Sequence, residues 1–148
     1  MKLYASIYIG SYEIILKVFQ ITQKKRLKEL DCLRTPIDTA QDIYASGQLK
    51  KETVDRICNV LEDMKRTLAL YRLTEDYQIY AGSTFTAADN RLFAMEQIKL
   101  RTGMKVLALS NSEHRFMSYR AVASQDNFDA MVSESAAIVD IGGASLQI

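Results

Sequence analysis

Residues 2–35, KLYASIYIGSYEIILKVFQITQKKRLKELDCLRT, decide the fold. Three runs rich in Ile, Val, Leu and Tyr, at 2–10, 12–22 and 25–35, are separated by Gly10-Ser11 and by the polar cluster from Thr22 to Arg26. That is the pattern of strands joined by short turns, and three in succession predict an antiparallel meander. In the first run Leu3, Ala5, Ile7 and Ile9 fall on one face and Tyr4, Ser6 and Tyr8 on the other, because side chains alternate along a strand. Both faces are partly apolar, which predicts a strand covered on both sides.

Beyond the meander the period changes. Pro36 is the only proline, and the polar stretch 35–48 with Gly47 reads as a loop. Val54, Ile57, Cys58, Leu61, Met64, Leu68 and Tyr71 then recur at steps of three and four, predicting a helix over 51–73 whose other face, with Glu52, Asp55, Glu62, Lys65 and Arg66, meets water. A short strand at 76–82, a helix over 86–103 stopped at Gly103, a strand at 105–110 and a helix over 112–124 follow. In that last helix Phe116, Tyr119, Ala121, Val122 and Ala123 are available for packing. Residues 136–148 read as an apolar strand, the turn Gly142-Gly143 and a second strand. A meander followed by alternating helices and strands is an α/β pattern with a mixed sheet, one domain over 1–148. The sequence ends inside its final strand, so it reads as part of a longer, two-domain protein.

Composition narrows the function classes. The chain has 148 residues, 48% hydrophobic and 25% charged, which is ordinary for a globular domain and excludes disordered, collagenous and coiled-coil classes. Its formal net charge of +1 argues against nucleic acid as a partner, so any anion site must be local. The apolar start, 3–16, is interrupted by Gly10, Ser11 and Glu13 and is shorter than the ~20 residues needed to span a bilayer, so no membrane partner is expected. Two cysteines, Cys32 and Cys58, lack CxxC spacing and read as thiols of a reducing compartment, the cytoplasm. A single histidine, His114, excludes HExxH and finger-type zinc sites.

The chemistry-bearing features are the two glycine turns. Gly10-Ser11 and Gly142-Gly143-Ala144-Ser145 each follow a strand, where a missing Cβ lets backbone N–H groups approach an oxyanion. Each also fits a plain hairpin, and neither a Walker A loop nor GxGxxG is present. Asp140, just before the second turn, suits a metal-holding carboxylate or a turn-initiating one. His114, beside Glu113, is of the residue type suited to general-base work. Ser11, Ser83 and Ser145 are hydroxyl candidates that equally suit turns and caps.

Taken together, these blocks resemble the N-terminal half of exopolyphosphatase/guanosine pentaphosphate phosphohydrolase (Ppx/GppA) family proteins. IYIGSYEIILKVFQI (7–21) stands at the family's first phosphate loop and IVDIGGASLQI (138–148) at its second. Between them, 47–73 resembles the long helix, AGSTFTAADN (81–90) the following strand and turn, and 101–122 the strand and helix that bear the catalytic glutamate. The resemblance implies a ribonuclease-H-like fold of the actin-like ATPase superfamily and hydrolysis of a terminal phosphoanhydride of polyphosphate or guanosine polyphosphate. It implies Mg2+ held at Asp140, phosphate contacts from Gly10, Ser11, Ser83, Gly142, Gly143 and Ser145, and a cleft closed by a C-terminal domain. His114 falls at the family's catalytic glutamate and Glu113 just before it.

Several positions depart from that pattern. Tyr8 replaces the first loop's aspartate, and a phenol with pKa ~10 is no substitute for a carboxylate beside a metal. Tyr12-Glu13 replace small polar residues, Thr86 an arginine, Ala144 a glycine and Gln147 a glutamate. The expected function is therefore a phosphoanhydride hydrolase-type domain with reduced activity. The alternative is a non-catalytic module that binds polyphosphate or guanosine polyphosphate; a nucleotide-using, kinase-like relative is a third. All require Gly10-Ser11 and Gly142-Gly143, about 130 residues apart, to meet beside Asp140.

Overall fold

The computed structural model describes residues 2–23, 26–124, 128–133, 135–142 and 146–147. Its sheet begins with the meander: β1 (Lys2–Ile9), β2 (Glu13–Ile21) and β3 (Leu27–Pro36) pair antiparallel. On its other side β1 pairs in parallel with β4 (Tyr77–Ala81), which pairs in parallel with β5 (Val106–Ala108). The strand order is β3-β2-β1-β4-β5. Parallel neighbours need crossovers, and α2 (Lys51–Leu70) and α4 (Arg91–Thr102) lie on these connections. The result is an α/β domain of ribonuclease-H-like type.

Alternation along the strands builds the core on one face. Ala5, Ile7 and Ile9 are fully buried, and each faces a buried β2 partner, Val18, Leu16 and Ile14. Ile79 of β4 sits beside Ile7. The predicted stripe of α2 (Ile57, Leu61, Met64, Leu68) and Ala94 and Ile98 of α4 complete this cluster. Burial of each Ile or Leu is worth about 1.5–3 kcal/mol. The opposite face departs from expectation: Tyr4, Ser6 and Tyr8 are only half-buried. Their polar tips tolerate partial solvation, which aliphatic side chains would not. The helix α5 (Asn111–Ala123) reaches this face at Tyr8.

The stretch after Pro36 is not the loop its polarity suggests but contains α1 (Thr39–Ser46). Asp38 caps it by accepting the Gln41 N–H at 2.9 Å, and Gly47 ends it with φ 72°, a conformation that costs other residues energy. Buried Asp42 of α1 in turn serves α2, which has Lys50 and no side chain of its own at the cap: it accepts the Lys50 N–H at 2.9 Å and the Thr53 hydroxyl. Burial alone would raise the Asp42 carboxyl, but Thr53 and Lys50 outweigh it and hold the group below its ordinary value.

Two further boundaries differ. Residues 83–86 form a separate turn of helix, α3 (Ser83–Thr86), so α4 starts at Arg91 rather than 86. Asn90 between them is a clamp, accepting the Leu49 N–H at 2.9 Å and donating to the Leu49 carbonyl at 2.8 Å. After α5 and α6 (Phe128–Ser133), the expected strand pair over 136–148 shrinks to β6 (Asp140–Ile141) and β7 (Leu146–Gln147), a hairpin outside the main sheet. Cys32 and Cys58 are free thiols, the first half-buried and the second in the core. Among the described residues no helix is long and apolar enough to cross a membrane.

Candidate functional site

A cleft of about 480 Å³ opens where β1 ends, and its walls come from both ends of the chain. The first glycine turn forms one rim. Gly10 donates its N–H to the Glu13 carbonyl at 2.9 Å, closing the turn between β1 and β2. The N-terminus of α1 fixes the turn from behind: the Ser11 carbonyl accepts the Thr39 N–H at 2.9 Å, and the Thr39 hydroxyl donates to the Gly10 and Ser11 carbonyls at 3.1 and 3.2 Å. In a trans peptide N–H and C=O point oppositely. With those carbonyls turned to α1, the Ser11 and Tyr12 N–H groups point away from it, and both residues line the cleft. The Ser11 hydroxyl is hydrogen-bonded to that of Thr84. This ties the turn to the β4–α3 junction, from which Ser83 also lines the cleft.

The opposite rim carries a chain of polar side chains. The Tyr8 hydroxyl lies 3.3 Å from His114 Nε2, His114 Nδ1 is 3.6 Å from Asp140 Oδ2, and the Ser118 hydroxyl donates to the same oxygen at 2.7 Å. His114 and Ser118 face the cleft together because residues four apart on a helix share a face. Burial, and then the Asp140 carboxylate, push the Tyr8 phenol above its ordinary value of 10.0. The phenol is therefore neutral at physiological pH and able to donate. Gly82 makes room for it, since a Cβ at that position would collide with the Tyr8 hydroxyl and lie 2.9 Å from Cζ.

Of the residues expected at the site, Gly10, Ser11, Ser83, His114, Asp140 and Gly142 line this one cleft. Gly143 and Ser145 lie outside the described residues, as does Ala144. Glu113 is placed elsewhere. Its carboxylate accepts the Ser110 N–H at 2.8 Å and the Ser110 hydroxyl at 2.7 Å, while Ser110 Oγ accepts the Glu113 N–H, a reciprocal cap at the start of α5. The Ser110 N–H, then its hydroxyl, hold the Glu113 carboxyl below its ordinary value. Thr86 donates to the Ser83 carbonyl at 3.0 Å. Thr39, Thr84, Gly82 and Ser118 were not singled out by sequence. Ser118 alone had a usable signal, its four-residue spacing from His114.

Mg2+ favours several oxygen donors in near-octahedral array, carboxylates above all. The donor set among the described residues does not match that demand. Among the described residues no three His, Cys, Asp or Glu side chains come together. Asp140 is already bonded to Ser118 and faces an imidazole, Tyr8 offers a neutral phenol, and Glu13 is paired with Arg34 at 2.7 Å.

No family model and no curated protein matches the chain. Solved structures do. A Ppx/GppA phosphatase of Aquifex aeolicus is 24% identical over 99% of this chain and 47% of its own, with a TM-score of 0.77. The PPX-GPPA enzyme of the same organism is 22% identical over 97% of this chain and 46% of its own, TM-score 0.80. An exopolyphosphatase from Cytophaga hutchinsonii is 17% identical over 98% of this chain and 45% of its own, TM-score 0.81. The chain thus has the fold of Ppx/GppA family structures and spans under half their length.

Proposed function

We propose that this cleft binds the terminal phosphates of a linear polyphosphate or guanosine polyphosphate and cleaves the last phosphoanhydride slowly. The observation that carries the reading is the convergence of Gly10, Ser11, Ser83, His114, Asp140 and Gly142 on one cleft. Fold likeness to exopolyphosphatases supports the choice of ligand. The turn amides and the Tyr8 phenol supply hydrogen bonds to phosphate oxygens, and such fixed donors stabilise charge as it develops. His114, held between Tyr8 and Asp140, takes a proton from the attacking water; a new P–O bond forms and the anhydride P–O bond breaks. Reduced turnover follows from the loss of carboxylates that the resemblance assigns to positions 8 and 114. The reading includes a cytoplasmic setting, supported by the two free thiols, and a C-terminal domain as the opposing wall.

A binding-only role is the second reading, favoured by the imidazole at position 114. The two separate on the intact protein with long-chain polyphosphate, guanosine pentaphosphate and ATP. We expect polyphosphate to raise the melting temperature, since a ligand selective for the native state stabilises it. Slow phosphate release that is lost in His114→Ala supports hydrolysis. Thermal protection without release supports the binding module. Protection by ATP alone points instead to a nucleotide-using relative.

A further inference from the structure

Among the described residues the acidic side chains of the cleft are Glu13 and Asp140, each engaged, by Arg34 and by Ser118, and a neutral phenol, Tyr8, lines the cleft with them. We infer that the cleft takes its phosphate ligand without a bound divalent cation, and that Tyr8 is the residue that sets this preference. The inference rests on the phosphate-binding reading above and deepens it.

Three observations carry it. First, Tyr8 is a neutral phenol at neutral pH and no anionic ligand, and its hydroxyl lies 3.3 Å from His114 Nε2. Second, the ring occupies volume that a shorter side chain would leave open: an aspartate at position 8 would end about where the ring begins. The seat at Gly82 is cut to the longer side chain, for a Cβ there would meet Tyr8 Cζ at 2.9 Å. Third, the carboxylate that remains on this rim, Asp140, faces His114 Nδ1 at 3.6 Å and accepts from Ser118 at 2.7 Å. An imidazole and a hydroxyl group are the surroundings of a hydrogen-bonded network, not of a hard-cation shell, which is built from carboxylates, carbonyls and water. In such a site phosphate charge is met by donors of the protein: the phenol and the turn amides.

The test uses the intact protein and two probes, Mn2+ alone, followed by its electron paramagnetic resonance signal, and tripolyphosphate, followed by melting temperature with EDTA or with Mg2+. Mn2+ takes the same oxygen donors as Mg2+. The wild type is expected to bind no Mn2+ at the cleft and to show a tripolyphosphate shift that EDTA leaves unchanged. Tyr8→Asp is expected to gain Mn2+ affinity by about tenfold or more, and to lose the gain when combined with Asp140→Asn. Wild-type Mn2+ binding that Asp140→Asn abolishes overturns the inference, and so does a tripolyphosphate shift that disappears in EDTA. If Tyr8→Asp folds and gains no Mn2+, Tyr8 is not the determinant. Should Tyr8→Asp fail to fold, the wild-type arms still decide about the cation. A protein that ignores tripolyphosphate under both conditions refutes the phosphate reading itself, while the Mn2+ measurement stands independently.

Discussion

At the scale of single residues, Tyr8 and Gly82 must be read as a pair. Gly82 has φ −75° and ψ 178°, extended backbone open to any residue, so conformation does not require glycine there. The requirement comes from the Tyr8 side chain pressed against it. Gly82→Ala should destabilise the wild type by about 1–3 kcal/mol, the usual cost of overpacking. In a Tyr8→Ala background the larger part of that cost should vanish, because the two shortest approaches to the new methyl are both to Tyr8; the part due to the 3.3 Å approach of the Ile9 carbonyl remains. A double-mutant cycle by urea unfolding measures the coupling, and additive effects would mean that the phenol does not occupy this seat. Asp42 offers a second test. Its carboxyl is held below the ordinary value of 3.8, so its contribution is present above that pH and is lost as pH falls through the lower folded value. Asp42→Asn should therefore cost stability at pH 7 and pH 5, with the difference from wild type shrinking below about pH 4. A gap that persists at pH 3 would assign the role to shape rather than charge.

Among the elements, α5 shows how one acidic residue in a sequence can carry two readings, a catalytic one and a helix cap, of which the structure displays the cap. Ser110 and Glu113 stand three apart, the spacing of a capping box, and their side chains bond reciprocally. Ser110→Ala should cost about 1 kcal/mol and fray the start of α5. Glu113→Gln should leave polyphosphate-induced thermal protection intact, whereas His114→Ala should diminish it; the reverse pattern would return Glu113 to the cleft. The same logic explains α1. Asp38, Gln41 and Gly47 carried its start and stop signals, but its polar composition hid them, since its buried positions, Thr39, Ala40 and Asp42, are not the large aliphatics that reveal a helical stripe. The meander and α2 were legible for the opposite reason. Their burial is carried by long side chains at period two and at steps of three and four, which tertiary context reinforces rather than overrides.

For the molecule as a whole, the cleft was only partly legible. Glycine turns and an acidic strand end can be seen in one dimension, but the Tyr8–His114–Asp140–Ser118 chain ties Tyr8 to residues more than a hundred positions away, and only its His114–Ser118 spacing is local. Its location follows from the parallel run of β1, β4 and β5, whose C-terminal ends share one edge of the sheet, and from α5, which reaches back from the end of β5 to Tyr8. That architecture is lopsided in energy. One face of the sheet is sealed by α2 and α4, with Ile57, Leu61 and Ile98 fully buried, whereas α5 has no buried residue and Phe116 is 60% exposed. Replacing Ile57 or Ile98 by Ala removes packed methylenes and leaves a cavity, a loss of about 2–5 kcal/mol. Phe116→Ala removes a larger side chain, yet in this chain it should change stability by within about 0.5 kcal/mol, as for other exposed positions. Urea unfolding of this 148-residue chain and its three variants checks the contrast. A Phe116→Ala loss as large as that of Ile98→Ala would show that the α5 side of the sheet carries a second core.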